Sequence, residues 1–284
     1  MHNLIKPIES SELADALGLQ FIGEKQSINN ISSLDSASKG SLCFATKNVS
    51  RIVTGSTCLA KKDCLIFDGL ILCENPRYEF TRALNYLINN QYISNKKFTG
   101  VISSNANVHP TAIIDEGASI GDGCIIGPYV HIHSNVVMNN CCSVGAYTSI
   151  GHAGFSYERH ENNISARMPH LGKVVIGNNV EIGIHCSISR GVLQDTVIGD
   201  DVKIDDQSYV AHNVKIGRGS LLMSGSRLNG RVAVGEFCWI GTGAVLKEGV
   251  SVGANVIIGM SSCVINDVRA DVTVAGNPSR LIKK

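Results

Sequence analysis

The stretch YVAHNVKIG, residues 209–217, presents the first candidate for chemistry in this chain, His212. An imidazole titrates near neutrality, so a histidine here is able to take a proton from an attacking nucleophile at physiological pH. The remaining histidines read less sharply. His131 and His133 are expected to be solvated, and His152 and His185 fall near interruptions of the surrounding pattern. There are 10 cysteines, but neither a CxxC pair nor a His/Cys group with zinc spacing. No metal site is therefore expected.

His212 is embedded in a repeat. Aliphatic residues recur at every sixth position, at 108, 114, 120, 126, 132, 138, 144 and 150. The phase breaks, resumes at Ile176, Ile182 and Ile188, slips by four residues, and runs from Ile198 to Val264. Six is neither a helical period nor that of an alternating strand. It suits one side of a triangular coil, with three hexads per turn and the aliphatic residue pointing inward. Each coil leaves its edges unpaired, so neighbouring coils must stack. Cys124, Cys142, Cys186 and Cys238 each stand four residues after a hexad aliphatic, a slot filled elsewhere by Ala112, Ala118, Thr148 or Ala244. Those thiols are expected to pack rather than react.

The breaks in the repeat are as informative as its copies. Residues 152–174, HAGFSYERHENNISARMPHLGKV, leave the coil as a polar excursion and are expected to form a flap. The four-residue slip lies at SRGVLQDT, residues 189–196. Ahead of the repeat, residues 1–103 read as a small α/β domain. A helix is expected over 9–18, capped by Ser10 or Ser11 and ended by Gly18. Strands are expected at 42–45 and 64–73, and a second helix at 78–90 after Asn75-Pro76. The expected fold is mainly β: this α/β domain followed by a β-helix over 104–284.

Bulk properties exclude several function classes. The formal net charge is +1, which offers no electrostatic footprint for nucleic acid. Charged residues are 17% of the chain and aromatics 5%, with 29 glycines. That mixture fits tightly turning β structure better than disorder or a helical bundle. No run is long enough to span a bilayer, and the N-terminus has no signal-peptide core. A cytoplasmic protein with reduced thiols is expected.

The hexads resemble the left-handed parallel β-helix of hexapeptide-repeat acyltransferases. More closely, GFSY (154–157), MPHLGKVVIGNNVEIG (168–183), SISRGVLQDTVIG (187–199) and IDDQSYVAHNVKIG (204–217) resemble the UDP-3-O-acyl-glucosamine N-acyltransferases in order and spacing. ISSLDSASKGSLCFATKN (31–48) and CENPRYEFTRAL (73–84) are similar to that family's nucleotide-binding domain. The resemblance implies acyl transfer from a thioester to the amine of a nucleotide-linked amino sugar, a reaction that needs no bound cofactor, metal or covalent enzyme intermediate. It implies His212 as the base and Asp205 as the acid that orients or charges it. Substrate contacts are implied for Phe44, Asn75, Phe155, Tyr157 and Asn213, and a homotrimer is implied as the assembly.

The chain departs from that pattern in four places. Ser50 stands where the family has the second of two aromatics that sandwich the base. Gly249 stands where a further histidine follows the catalytic one. Ser189 replaces an acid in the ID-R-G pattern. The ending VTVAGNPSRLIKK (272–284) resembles small acetyl-CoA-dependent sugar acetyltransferases instead of carrying a helical extension. Donor contacts are accordingly expected around Gly225, Gly243 and Arg280, with an acyl-CoA or an acyl carrier protein as co-substrate. Met223, Trp239 and Leu246 are candidates for the residue that limits acyl length. The first reading is an N-acyltransferase using a short acyl-CoA. The alternatives are the lipid A enzyme itself, a zinc carbonic anhydrase of the same fold, and a non-catalytic scaffold.

Overall fold

The computed structural model describes residues 2–46, 54–62, 67–93, 99–160 and 162–282. Two compact units emerge, residues 1–96 with 155–171, and residues 97–154 with 172–284.

The first unit carries a six-stranded sheet. Its strands are β1 (His2–Glu9), β2 (Gln20–Gly23), β3 (Ser27–Ile31), β4 (Ser41–Phe44), β5 (Thr57–Ala60) and β6 (Gly69–Leu72), in the order β1-β3-β4-β5-β6-β2. The inner strands β3 to β6 are parallel and the two edges antiparallel. Helix α1 (Ser10–Leu17) ends on Gly18 in the left-handed conformation, as its position predicts. Its start differs from expectation. Glu9 holds the N-cap position without a side-chain bond, and Ser10 is buried, its hydroxyl accepting the Gln26 amide. The expected strand over 64–73 is shorter: β6 begins at Gly69, and residues 63–66 lie outside the described set. Helix α2 (Pro76–Asn89) begins with Pro76, and the Asn75 carboxamide oxygen accepts the Tyr78 amide. Phe80, Leu84 and Leu87 fall on one face of α2 and are fully buried.

The excursion from the repeat is an ordered part of this first unit. Tyr157–Arg159 and Ser165–Arg167 pair as an antiparallel hairpin. It is tied to α2 by an Arg77–Glu158 ion pair at 2.7 Å and by the Asn85 amide donating to the Arg167 carbonyl at 3.1 Å.

The second unit is a parallel β-helix of short strands in three sheets of ten, eight and seven strands. Ile126 pairs with both Val108 and Val144, a register of one coil per 18 residues. The slip lengthens one coil, so that Ile182 pairs with Ile204. The hexad aliphatics form a single continuous core, with Ile126, Ile150, Ile188, Val210, Leu228 and Val264 at 0–1% exposure. Cys124, Cys142, Cys186 and Cys238 are buried in it, and burial pushes the Cys142 thiol up to about 11. Burial likewise raises the pKa of Cys186 and Cys238, and all four side chains pack in the core. The strand Thr273–Ala275 closes the last coil and pairs antiparallel with Arg280–Leu281. No helix among the described residues is long and apolar enough to cross a membrane.

Candidate functional site

The strand Tyr209–Val210 belongs to the eight-stranded sheet, and His212 stands at the corner that follows it. The residue is 7% exposed. Its Nδ1 lies 3.1 Å from Asn213 Oδ1. The orientation of that carboxamide is fixed by two backbone partners: Oδ1 accepts the Val192 amide, and Nδ2 donates to the Gln194 carbonyl at 2.6 Å. A carboxamide oxygen only accepts, so Nδ1 of His212 carries the proton and Nε2 is the basic nitrogen. Val192 and Gln194 lie in the four-residue slip, and Thr196 of the same segment accepts the Asn213 amide. The break in the repeat thus builds the clamp that sets the imidazole tautomer.

One coil further on, Gly230 makes room for the ring. A Cβ at that position would lie 2.6 Å from His212 Cε1 and 2.7 Å from Nε2. The same point is flanked by Glu248 Oε1, whose carboxylate also pairs with Arg231 at 3.1 Å. Glu248 thus places a carboxylate oxygen at the same small space that His212 Nε2 borders.

Asp205 is set elsewhere. It follows the strand Lys203–Ile204 of the ten-stranded sheet, one corner before His212 on the same coil. Its carboxylate accepts the Asp206 and Ser224 amides. Asp205 lines a groove of about 540 Å³ on that face, together with Val144, Ile182, Leu221, Met223 and Trp239. Of the residues expected to limit acyl length, Met223 and Trp239 line this groove. Leu246 does not, because it is a hexad aliphatic, fully buried in the core.

The other sequence candidates are dispersed. Gly225 and Gly243 are corner glycines with φ of +67° and +66°, and their amides donate to Asp206 and Ser224 carbonyls of the preceding coil. Those amides take part in coil stacking. Arg280 is exposed on the closing strand. In the first unit, Phe44 packs on buried Phe80 with centroids 4.9 Å apart. Asn75 caps α2, and its Nδ2 donates to the Arg159 carbonyl of the hairpin. Phe155 is 82% exposed and sits 4.8 Å from the Tyr157 ring. Asn213 serves the clamp described above. Ser50 lies outside the described residues.

Among the departures, Gly249 is a left-handed corner whose amide donates to the Gly230 carbonyl. Ser189 faces an imidazole: His152 Nε2 lies 3.1 Å from its hydroxyl and 3.3 Å from that of Ser187. Burial holds the His152 pKa below its usual value, with the Arg190 charge adding to the effect.

Sequence reasoning missed one cluster. His131 and His133, expected to be solvated, stack with centroids 3.7 Å apart, and both face Asp115. The usable signal was the 18-residue coil register, which sets 115 beside 133 just as it sets 212 beside 230.

The bacterial transferase hexapeptide family (six repeats) matches residues 117–152 and 195–230. A UDP-3-O-acylglucosamine N-acyltransferase of Coxiella burnetii is 30% identical over 243 residues, covering 73% of this chain and 70% of that protein. The Bordetella pertussis protein of the same name is 26% identical over 297 residues, covering 92% of this chain and 81% of its own length. Among solved structures, the UDP-N-acetylglucosamine acyltransferase of Campylobacter jejuni shares the fold, with a TM-score of 0.53 at 23% identity over 65% of this chain and 72% of that one.

Proposed function

The chain belongs to the UDP-3-O-acylglucosamine N-acyltransferase family, and on that premise we propose that it acylates the amine of a nucleotide-linked amino sugar from a thioester donor, with His212 as the base. The observation that carries this assignment is the fixed tautomer of a nearly buried imidazole. With Nδ1–H held by Asn213, the Nε2 lone pair receives the amine proton as nitrogen attacks the thioester carbon. A C–N bond forms, the C–S bond breaks, and the proton passes from the imidazolium to the departing thiolate. The Asn213 oxygen and the Glu248 carboxylate both favour the charged imidazolium between those two transfers.

Asp205 enters this reading from a second copy. It sits at a different corner of the coil from His212, so the two would meet across an interface between chains. A closed threefold ring brings a corner of one copy against the face of the next. The exposed Trp239 (44%) and Ile257 (49%) on the ten-stranded sheet give that face a reason to be covered.

The donor of the first reading is a short acyl-CoA. A second reading, a long-chain hydroxyacyl carrier protein, is favoured by the apolar groove, whose volume lies in the range of sites that hold drug-sized ligands. To separate them, nucleotide-linked amino sugars, with 3-O-acyl UDP-glucosamine among them, are each paired with acetyl-CoA, 3-hydroxybutyryl-CoA and a long-chain 3-hydroxyacyl carrier protein, and thiol release is followed. Turnover with a short acyl-CoA supports the first reading. Turnover confined to the carrier protein and 3-O-acyl UDP-glucosamine supports the second. No turnover with any pair, from a protein of native melting behaviour, contradicts both.

A further inference from the structure

Asp115, His131 and His133 stand on successive coils near the start of the β-helix, away from the His212 corner. His131 Nε2 lies 3.0 Å from Asp115 Oδ1, and His133 Nδ1 lies 3.4 Å from Asp115 Oδ2. One ligand atom from each residue falls within 4.8 Å of the other two. A tetrahedral centre with bonds of about 2.0–2.1 Å separates neighbouring ligand atoms by roughly 3.3 Å. The two nitrogen–oxygen separations, each to a different oxygen of the carboxylate, lie close to that value, so side-chain rotation within the cluster brings three ligand atoms around one ion.

The surroundings orient the ligands. The other ring nitrogen of His133, Nε2, lies 3.2 Å from the Ser149 hydroxyl, and the Ser134 amide donates to Asp115 Oδ2 at 3.4 Å. Hydrogen bonds to ligating groups, such as that of the outward ring nitrogen of His133 with Ser149, are what hold metal ligands in position. All three residues are half-buried, which leaves an open approach for the ion and a water molecule.

We infer that Asp115, His131 and His133 form a binding site for a divalent transition-metal ion of the zinc class, with water as the fourth ligand. Two imidazoles and one carboxylate suit zinc, cobalt or nickel. Magnesium and calcium require more oxygen ligands than the cluster supplies. The ion would pin two successive coils together, and nothing in the acyl-transfer chemistry depends on it.

The test uses the full, untagged chain after chelator treatment and dialysis. Cobalt(II) is titrated while its visible d–d absorption is recorded, and zinc is then added as competitor. The inference expects one equivalent of cobalt with the intense bands of a tetrahedral site, displaced by zinc. His133→Asn and Asp115→Asn should each weaken cobalt binding by roughly 100-fold or more, beyond the loss typical of an outer-shell change. Metal-free melting curves of the variants check that each is folded. Zinc should raise the melting temperature of the parent and not of the variants. Absence of the tetrahedral bands, or equal cobalt binding by parent and folded variants, overturns the inference and leaves the cluster a hydrogen-bonded ornament of the coil face.

Discussion

His212 is bonded to Asn213 and faces Gly230 at its corner, whereas His131 and His133 stack on one another with Asp115 facing both. All three rings belong to coils of the eight-stranded face, and the backbone that presents them is the same repeat. What differs is the residue one coil away. At His212 that residue is Gly230, which leaves a space the ring fills. At His133 it is Asp115, which supplies a carboxylate to the ring. A ring with a fixed tautomer suits proton transfer. A pair sharing a carboxylate suits a cation. The repeat is a neutral carrier, and the neighbour one coil away decides the chemistry.

The largest way to break this comparison is to fill the space at His212. Gly230→Ala places a methyl group where the imidazole lies, so the ring must move. Acyl transfer should fall by about 100-fold or more, the scale of an ångström misplacement at a reacting group. Cobalt binding at the distant cluster should be unchanged. Steady-state kinetics beside the cobalt titration measure both. A drop of less than threefold would show that Gly230 does not set the ring.

A smaller loss is expected from the clamp. Asn213→Ala removes the acceptor that fixes Nδ1–H, together with the side-chain bonds to the Val192 amide and the Gln194 carbonyl. Activity should fall on the order of tenfold, part of the whole contribution of a base. Stability should fall by about 1 kcal/mol, the scale of a net hydrogen bond, measured by denaturant unfolding.

The smallest effect concerns charge. Glu248→Gln removes a negative group from the space that the ring borders, and with it part of the stabilisation of an imidazolium formed there. A base works only when deprotonated, so the acid limb of the kcat/KM profile should move to lower pH. The alkaline plateau should change by less than about threefold, because the carboxylate is half-exposed and screened. A limb that moves to higher pH would contradict the placement of Glu248.

Much of this fold is legible in the residues. Isoleucines and valines at every sixth position name the buried side of each coil, and the cysteines in the small-residue slot are buried as that slot requires. The site was legible only in part. His212 and Asn213 follow from their motif, but the clamp depends on Val192 and Gln194, which reach Asn213 only because the slip bulges outward. Asp115 and His133 are distant in sequence and meet through the coil register. Reading columns at 18-residue spacing would have paired them, and would have paired His212 with Gly230. The hairpin escaped for another reason. Its strands are polar and short, and they are held by Arg77 and Asn85 of α2, contacts that no local pattern announces. Asp205 was named through its motif, but sequence proximity to His212 says nothing about which corner of a coil it occupies.

The measurement that bears most directly on the central claim is the turnover of His212→Gln, an amide of similar size that keeps hydrogen-bonding capacity and cannot serve as a base. It is made with the acceptor and donor that the substrate panel selects, on protein whose melting curve matches the parent. The account predicts that kcat falls by about 10²- to 10⁴-fold while KM for both substrates changes little, the signature of a lost proton acceptor. A variant that keeps kcat within threefold of the parent would contradict it, and the corner at His212 would then be structure rather than catalyst.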